Sequence, residues 1–335
     1  MVLRISYDDM VNKFTEILVK KGMDESEAKE SAIIFAENSI DGIYSHGVNR
    51  FPRVIEYIDK GYINLKAKPE VISKFGAFER WTGNLAMGNI TAKKAMSRCI
   101  ELAKEFGVGV VALSHTNHWM RGGTYGLQAA DAGMVGILWT NSQPNMPAWG
   151  ALDNRLGNNP FIIAVPRENG EHVMADMAMS QFSYGKIEEA RLAGKKLPVP
   201  GGFDTNGNMT NDPAEIEKTE RLVQTGFWKG AALSHTIDIA AGILSGGYTV
   251  AEVGKNCESE YDVSQVFIAI NPQANNDLES IEKTIEFSIN DVKASKVDNG
   301  TKIYYPNELS YIAREDNIKN GIPVEEEVWN KILSL

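Results

Sequence analysis

The chain has 335 residues, a formal net charge of -10 and 43% hydrophobic residues, which is enough to bury a large core in about two domains. No basic stripe is present to neutralise phosphates, so we expect no nucleic-acid partner. The start, MVLRISYDDM, lacks an apolar signal segment, and no apolar run approaches the ~18 residues of a membrane span, so we expect a cytoplasmic protein with no membrane partner.

Helices are predicted in the first third of the chain. Ser6 followed by Asp9 is a capping pair, and a 3–4-residue apolar spacing follows it. Gly22 ends this helix, and Asp24 caps a second one predicted over 25–39. These patterns predict an amphipathic helical pair at the amino terminus.

From about residue 70 the pattern changes to alternating strands and helices. Strands are predicted at 107–113, 133–140, 160–166, 173–177 and 265–271. Helices are predicted at 91–106, 124–132, 230–244 and 277–293, followed by one amphipathic segment over 308–335. The stretch 194–212 is rich in Gly, Pro, Asn and Lys and is predicted to be a long functional or mobile loop. The fold class is therefore α/β, with helices from both chain ends packed on the core.

The usual nucleotide-binding and nucleophile motifs are absent. Gly107 and Gly109 precede a strand and lack the third glycine of a dinucleotide turn. No P-loop and no G-x-S-x-G elbow occurs. His115 and His118 have metal-ligand spacing, but no third ligand follows, so we predict no metal.

A first cluster with chemical potential lies at 44–52. Pro52 is tolerated only in the first turn of a helix, so this helix is predicted to begin at 47–49 and to run to about residue 60. His46 would then lie at a helix N-terminus with Arg50 about one turn on, where a carboxylate binds well. The alternative is a half-buried structural histidine.

A second cluster, at 114–123, directly follows a predicted strand. It contains His118 and Arg121, and the carboxyl end of a strand is where α/β proteins usually bind ligands. A satisfied, half-buried histidine beside an aromatic ring is again the alternative.

The segment 174–180 places Asp176 in an apolar run, where a buried carboxylate needs a partner. A histidine N–H is a natural partner and would fix the tautomer of a general acid. The alternative is a helix N-cap. Of the remaining histidines, His235 is predicted to lie in the core and His172 on the surface.

Six motifs then carry a resemblance to a known family. They are YSHGVNRFPR at 44–53, NHWMRGG at 117–123, WTNS at 139–142, GNNP at 157–160, DMAMS at 176–180 and GFWKG at 226–230. Over essentially its whole length the chain resembles the malate/L-lactate dehydrogenase family, which lacks a Rossmann fold. The longer motifs resemble its 2,3-diketo-L-gulonate reductase branch.

The resemblance implies a non-Rossmann, L-sulfolactate dehydrogenase-like α/β fold with a mixed sheet. A mainly helical domain is expected from both termini, 1–75 with 305–335, and an α/β cofactor-binding domain over 76–304, with the substrate cleft between them. The family also implies a homodimer with cofactor sites near the subunit interface. The expected reaction is NAD(P)H-dependent reduction of a small 2-keto acid, with NADH preferred, converting 2,3-diketo-L-gulonate to 3-keto-L-gulonate.

The resemblance also implies site residues. The catalytic set is His46 as proton donor, Asp176 as the group that orients it, and Ser45. The substrate-binding set is Arg50, His118, Arg121 and Asn141. The cofactor-binding set is His172, Val173, Met174, Ala175, Asp176, Met177, Ala178, Trp228, Lys229, Asn307, Glu308 and Leu309. In this scheme Asp176 keeps His46 protonated near neutral pH.

Two departures from the family pattern stand at binding loops. Asn307 replaces the usual glycine of Pro-Gly-Glu, and asparagine tolerates the positive φ such a turn needs. Asn158 replaces the threonine of Gly-Thr-Asn-Pro. Malate, lactate and sulfolactate dehydrogenases are alternative functions, and a non-catalytic sugar-acid or nucleotide-binding protein is a third.

Overall fold

The computed structural model describes residues 2–298 and 300–335. Its helices are α1 Tyr7–Lys20, α2 Glu25–Ile40, α3 Phe51–Asp59, α4 Gly88–Phe106, α5 Gly123–Asp131, α6 Tyr184–Leu192, α7 Pro213–Thr219, α8 Trp228–Ser245, α9 Val250–Asn256, α10 Leu278–Lys293, α11 Glu308–Asn320 and α12 Glu326–Leu333. Its strands are β1 Val2–Ile5, β2 Glu70–Phe75, β3 Phe78–Thr82, β4 Val108–Thr116, β5 Val135–Thr140, β6 Met146–Pro147, β7 Asn154–Leu156, β8 Phe161–Val165, β9 Val173–Met177, β10 Gly202–Phe203, β11 Met209–Thr210, β12 Val263–Ile270 and β13 Ile322–Glu325.

Both chain ends share one apolar core. The spacing of apolar residues along α1 and α2 buries one face of each helix, and Phe14 stacks on Phe51 with ring centroids 4.0 Å apart. Strand β1 pairs antiparallel with β13, which brings the two termini together. This agrees with the expected helical region formed from both ends.

The single amphipathic segment predicted over 308–335 is wrong. Gly321 has a φ of 81° and ends α11, and the alternating buried positions Ile322 and Val324 then form β13. No local pattern revealed this strand, because its partner β1 lies at the other end of the chain.

The centre of the molecule is a mixed sheet, as expected. In the described part of the chain it has seven strands in the order β2-β3-β4-β12-β5-β8-β9. Only the β3–β4 pair is parallel, and β12 runs antiparallel between β4 and β5. Alternating side chains bury one face under α4 and α5 and the other under α8. Strand β2 already belongs to this sheet, although it falls inside the segment 1–75 expected to be helical.

Most predicted elements agree with the structure within two or three residues. The predicted strands 160–166 and 173–177 form the antiparallel hairpin β8–β9, and Asp24 caps α2 as predicted. The predicted loop 194–212 contains the small hairpin β10–β11. No helix in the described ranges combines the length and apolar character that a bilayer crossing requires.

Candidate active site

A short turn between α2 and α3 carries His46. This 3-10 turn, Tyr44–His46, is fixed to α2 because Asn38 donates to the His46 carbonyl oxygen at 3.0 Å and the Val48 N–H donates to Ser39 Oγ at 2.8 Å. A Cβ atom on Gly47 would overlap the Ser39 hydroxyl and come within 2.9 Å of the Phe35 carbonyl oxygen. Glycine is therefore required for this close approach.

The helix after this turn begins later than predicted. Arg50 is the N-cap of α3, so it lies directly at the helix start and not one turn inside it. The residues from Gly47 to Arg50 form turns, because α2 holds this segment through Ser39. Pro52 still occupies the first helical turn, as its missing N–H requires.

Among the described residues the His46 ring has one hydrogen-bond partner, Ser45. Its Nδ1 lies 3.0 Å from Ser45 Oγ, and the ring stacks on His118 with centroids 5.9 Å apart. Within the described chain Nε2 has no hydrogen-bond partner. When the Ser45 hydroxyl donates to Nδ1, the ring hydrogen lies on Nε2, the free side of the ring.

Burial lowers the pKa of His46 to about 4, and the nearby Arg50 and Arg121 cations act in the same direction. A histidine with that pKa is neutral at pH 7. The expectation that Asp176 keeps His46 protonated near neutral pH is therefore not met in this state of the protein.

Asp176 lies in β9 and contacts the start of α5. Its Oδ2 accepts from the Gly123 N–H at 2.9 Å and lies 3.8 Å from Arg121 Nε. A Cβ atom on Gly123 would come within 2.7 Å of this oxygen. Of the hydrogen bonds between described residues, none joins Asp176 to His46. The alternative of a helix N-cap is also wrong, because Asp176 is in a strand.

Burial raises the pKa of Asp176, and the Arg121 cation and the Gly123 N–H act in the opposite direction. The Asp176 side chain keeps 24% of its surface accessible. Asp176 is therefore held at the start of α5, with Arg121 as its charged neighbour.

Arg121 is buried and joins three parts of the fold. Its Nη1 donates to Asp41 Oδ2 at 2.5 Å, and its Nη2 donates to Asn307 Oδ1 at 3.3 Å. Arg314 donates to the other Asp41 oxygen at 2.6 Å. Since these acceptors come from the end of α2 and the start of α11, Arg121 connects the terminal helices to the sheet.

A small pocket lies between α3 and the segment after β4. Arg50, Arg53 and Tyr57 line one side, and Asn117 and His118 line the other. His118 Nδ1 accepts from the Met120 N–H at 3.0 Å, which leaves the ring hydrogen on Nε2.

Burial and nearby cations lower the pKa of the histidine in this pocket. Burial lowers the pKa of His118 well below its usual value, and Arg50, His46 and Arg53 add to the shift. Arg50 Nη2 lies 3.6 Å from Glu260 Oε2. The pocket therefore presents a neutral histidine donor beside a loosely paired arginine.

Asn141 is not brought to this pocket. Its Nδ2 donates to Asp238 Oδ1 at 3.0 Å and to the Tyr248 carbonyl oxygen at 2.6 Å, and its Oδ1 accepts from the Ser264 N–H at 2.8 Å. These bonds use its whole amide to tie β5 to α8 and β12.

Two of the three segments predicted to contact a cofactor meet at β9. The Met174 N–H donates to the Pro306 carbonyl oxygen at 3.1 Å, next to Asn307. Residues 172–178 and 307–309 are therefore neighbours. The chain that leads to Trp228 and Lys229 pairs just beyond the end of β9, where the Thr225 N–H donates to the Met179 carbonyl oxygen at 2.9 Å.

The surface at β9 offers groups that suit a dinucleotide. Ala175 and Met177 are exposed, and so are Trp228 and Leu309. Asn307, at a φ of 81° as its turn requires, contacts Arg121 through Oδ1 and Tyr311 through its amide. An amide beside an accessible strand fits a ligand rich in oxygen acceptors.

Two histidine predictions are wrong. His172 is buried, because its Nδ1 accepts from the Arg167 N–H at 2.9 Å and its Nε2 lies 2.9 Å from Asp131 Oδ1. Its side chain is therefore occupied by structural bonds. His235 lies on the exposed face of α8, since that apolar helix buries only its other face on the sheet.

Two acidic residues of the site were missed. Asp41 pairs with Arg121 across 80 positions in the chain, and Glu260 pairs with Arg50 from the loop before β12. No local motif marks either residue, because each acquires its role only by long-range folding. In the described ranges no three His, Cys, Asp or Glu side chains form a metal-binding group, and His115 bonds to Asp262 at 2.7 Å.

Comparison with known families and sequences gives matches over the whole chain. The model of the malate/L-lactate dehydrogenase family matches residues 5–333. A 2,3-diketo-L-gulonate reductase of Pasteurella multocida is 46% identical, over 99% of this chain and 100% of the relative. One from Citrobacter koseri is 43% identical with the same coverage.

Solved structures show the same architecture. The sulfolactate dehydrogenase of Methanocaldococcus jannaschii superposes with a TM-score of 0.91 at 30% identity, covering 98% of this chain and 95% of the other. A malate dehydrogenase of Entamoeba histolytica gives a TM-score of 0.93 at 26% identity, covering 100% and 97%. The expected fold is therefore confirmed.

Proposed function

The chain belongs to the malate/L-lactate dehydrogenase family, and from this we propose that it reduces 2,3-diketo-L-gulonate to 3-keto-L-gulonate with NADH. The observation that carries the proposal is the identity of 43–46% over the full chain to reductases of that name. The pocket lined by Arg50 and His118, with the His46 ring stacked on His118, supports it, because a keto acid needs an anchored carboxylate and a donor at its carbonyl oxygen.

The substrate carboxylate binds at Arg50 in this proposal. At 3.6 Å the contact with Glu260 is too long for a strong ion-pair hydrogen bond, so guanidinium N–H groups remain for a second carboxylate. The Nε2–H of His118 then donates to a substrate oxygen.

His46 acts as the proton donor. The two arginines that lower the pKa of His46 are partly neutralised when an anionic substrate binds, so binding raises this pKa and favours proton uptake. His46 then gives the proton to the carbonyl oxygen as negative charge develops there. Ser45 holds the ring through Nδ1, and Asp176 supports the site through Arg121 and the Gly123 N–H.

Membership of the family implies a nicotinamide cofactor, which supplies the hydride when bound. Residues 172–178 along β9, Trp228 with Lys229, and 307–309 would hold it. NADH is preferred over NADPH in the proposal.

The proposed assembly is a homodimer. Helix α8 exposes apolar side chains on one face. Ile239 and Ile243, four residues apart, have 43% and 75% of their surface exposed. Apolar surface of this kind marks protein–protein contacts.

A domain division at 1–75 with 305–335 and 76–304, and a cytoplasmic role in carbohydrate metabolism, remain predictions.

The test is a panel assay that follows loss of the nicotinamide absorbance. The substrates 2,3-diketo-L-gulonate, oxaloacetate, pyruvate and sulfopyruvate are each offered with NADH and with NADPH. The proposal expects the pair of 2,3-diketo-L-gulonate and NADH to give the highest kcat/KM. A higher value with sulfopyruvate or oxaloacetate would assign the dehydrogenase function of the structural neighbours instead, and turnover of none would leave a binding protein.

A further inference from the structure

Two arginines of one helix turn face the same pocket. Arg50 caps α3, and Arg53 lies three residues on, so their Cβ atoms are about 5–6 Å apart. Both line the pocket opposite His118. The Arg53 cation is one of the groups that lower the pKa of His118, as expected for a charge near that ring.

The arginines of the site differ in how their charge is compensated. Arg121 contacts Asp41 and Asp176, and Arg50 contacts Glu260. Arg53 has no carboxylate within ion-pair distance in the described part of the chain. It is therefore the arginine of this pocket whose charge is left for a ligand.

The Arg53 side chain is nevertheless held in place. Its Nη2 donates to the Tyr57 hydroxyl at 3.1 Å, and its guanidinium lies 5.5 Å from the Tyr57 ring centroid. The Tyr57 hydroxyl in turn bonds to Ser259, in the loop that also carries Glu260. Although Arg53 is exposed, these contacts hold its guanidinium beside the pocket, and this preorganisation favours a binding role.

We propose that Arg53 is a specificity-determining residue that donates to substrate oxygens beyond the reacting carbonyl. This inference rests on the proposed function. With the carboxylate at Arg50, a group about 5–6 Å along α3 is at the distance of an oxygen two or three carbons further along the substrate. Arg53 therefore selects keto acids with an oxygenated chain over short ones such as pyruvate.

The test compares a long substrate with a short ligand in the Arg53→Met variant. With 2,3-diketo-L-gulonate as substrate, KM is expected to rise by about 10- to 100-fold, the effect of losing one hydrogen bond to a charged group. The inhibition constant of pyruvate, measured as a competitive ligand so that its turnover is not needed, is expected to change by less than about threefold. Arg53→Lys, which keeps the charge but not the planar fork, is expected to recover part of the loss.

Lys60→Met is the matched control, because it removes one cation from the exposed end of the same helix, where Lys60 pairs with Glu56. Its KM is expected to stay at the wild-type value. An unchanged KM in Arg53→Met, or an equal weakening of pyruvate, would overturn the inference. If the wild-type protein does not reduce 2,3-diketo-L-gulonate, the proposed function itself fails, which is a distinct result.

Discussion

At the scale of single residues, the site is organised by compensated charge. Arg121 is buried, and Asp41 and Asp176 balance its charge. An uncompensated buried charge would cost several kcal/mol, so these carboxylates stabilise the cation where it is needed. Among the described residues no carboxylate bonds to the His46 ring, and burial together with Arg50 and Arg121 keeps its pKa low, at about 4.

The first prediction concerns His46. Replacing it by Gln should lower kcat for keto-acid reduction by about 10²–10⁴-fold, because general-acid catalysis is lost. NADH affinity, measured by fluorescence titration, should stay the same. His115→Gln is the control, since His115 bonds to Asp262 and lies outside the pocket. Unchanged turnover in His46→Gln would show that His46 is not the proton donor.

The second prediction is a pH dependence. Reduction needs protonated His46, so kcat/KM at saturating NADH should fall about tenfold per pH unit above the His46 pKa of about 4. The decline in kcat should begin at a higher pH, because the bound carboxylate raises this pKa. Rates between about pH 4.5 and 9 check both limbs. If kcat and kcat/KM declined at the same pH, or if neither depended on pH, His46 would not be the proton donor.

At the scale of elements, helix α2 determines where the turn Tyr44–His46 lies. Its Asn38 and Ser39 side chains bind the turn backbone on both sides of Gly47. This is why α3 begins at Phe51 and not at 47–49. A change at Gly47 should therefore reach the chemistry through His46.

The third prediction is that Gly47→Ala lowers stability and kcat together. The added Cβ would overlap Ser39 Oγ, and overpacking of this kind costs about 1–3 kcal/mol. Thermal unfolding and steady-state kinetics measure the two effects. Gly185→Ala in α6 is the stability control, since a Cβ there meets no atom closer than 4.0 Å. Wild-type stability and kcat in Gly47→Ala would contradict the structural argument.

Local signals explain which elements the sequence predicts. The spacing along α1, the Asp24 cap of α2 and the strands β8 and β9 are set within a few residues, and these predictions are confirmed. The β1–β13 pair and the Asp41–Arg121 contact join distant positions, so no local pattern contains them. Asn141 lies in a recognisable motif, yet its amide supports the fold instead of the pocket.

At the scale of the whole molecule, the two faces of α8 differ in what they contact. Its inner face packs on the sheet through Ile237 and Ala241, and its outer face exposes Ile239 and Ile243. The sequence predicted His235 to be buried because the helix is apolar on all sides. Contact of the outer face with a second copy of the chain would explain why α8 is apolar on both faces.

The fourth prediction is that Ile243→Asp converts a dimer to a monomer. A charge in an apolar interface is left without a partner, so association weakens. Sedimentation velocity at micromolar concentration measures the mass. Leu192→Asp is the matched control, because Leu192 is 72% exposed and lies on a different helix, α6. A wild-type protein that sediments as a monomer would contradict the proposed assembly.

The most direct test of the central claim follows the hydride itself. The protein is incubated with 2,3-diketo-L-gulonate and NADH that carries deuterium at C4 of the nicotinamide, and the product is examined by mass spectrometry and NMR. We predict 3-keto-L-gulonate with one deuterium at C2, the carbon next to the carboxylate, from one of the two C4 positions only. A product that lacks deuterium whichever of the two C4 positions carries the label, deuterium at C3, or no NADH oxidation at all would contradict this prediction.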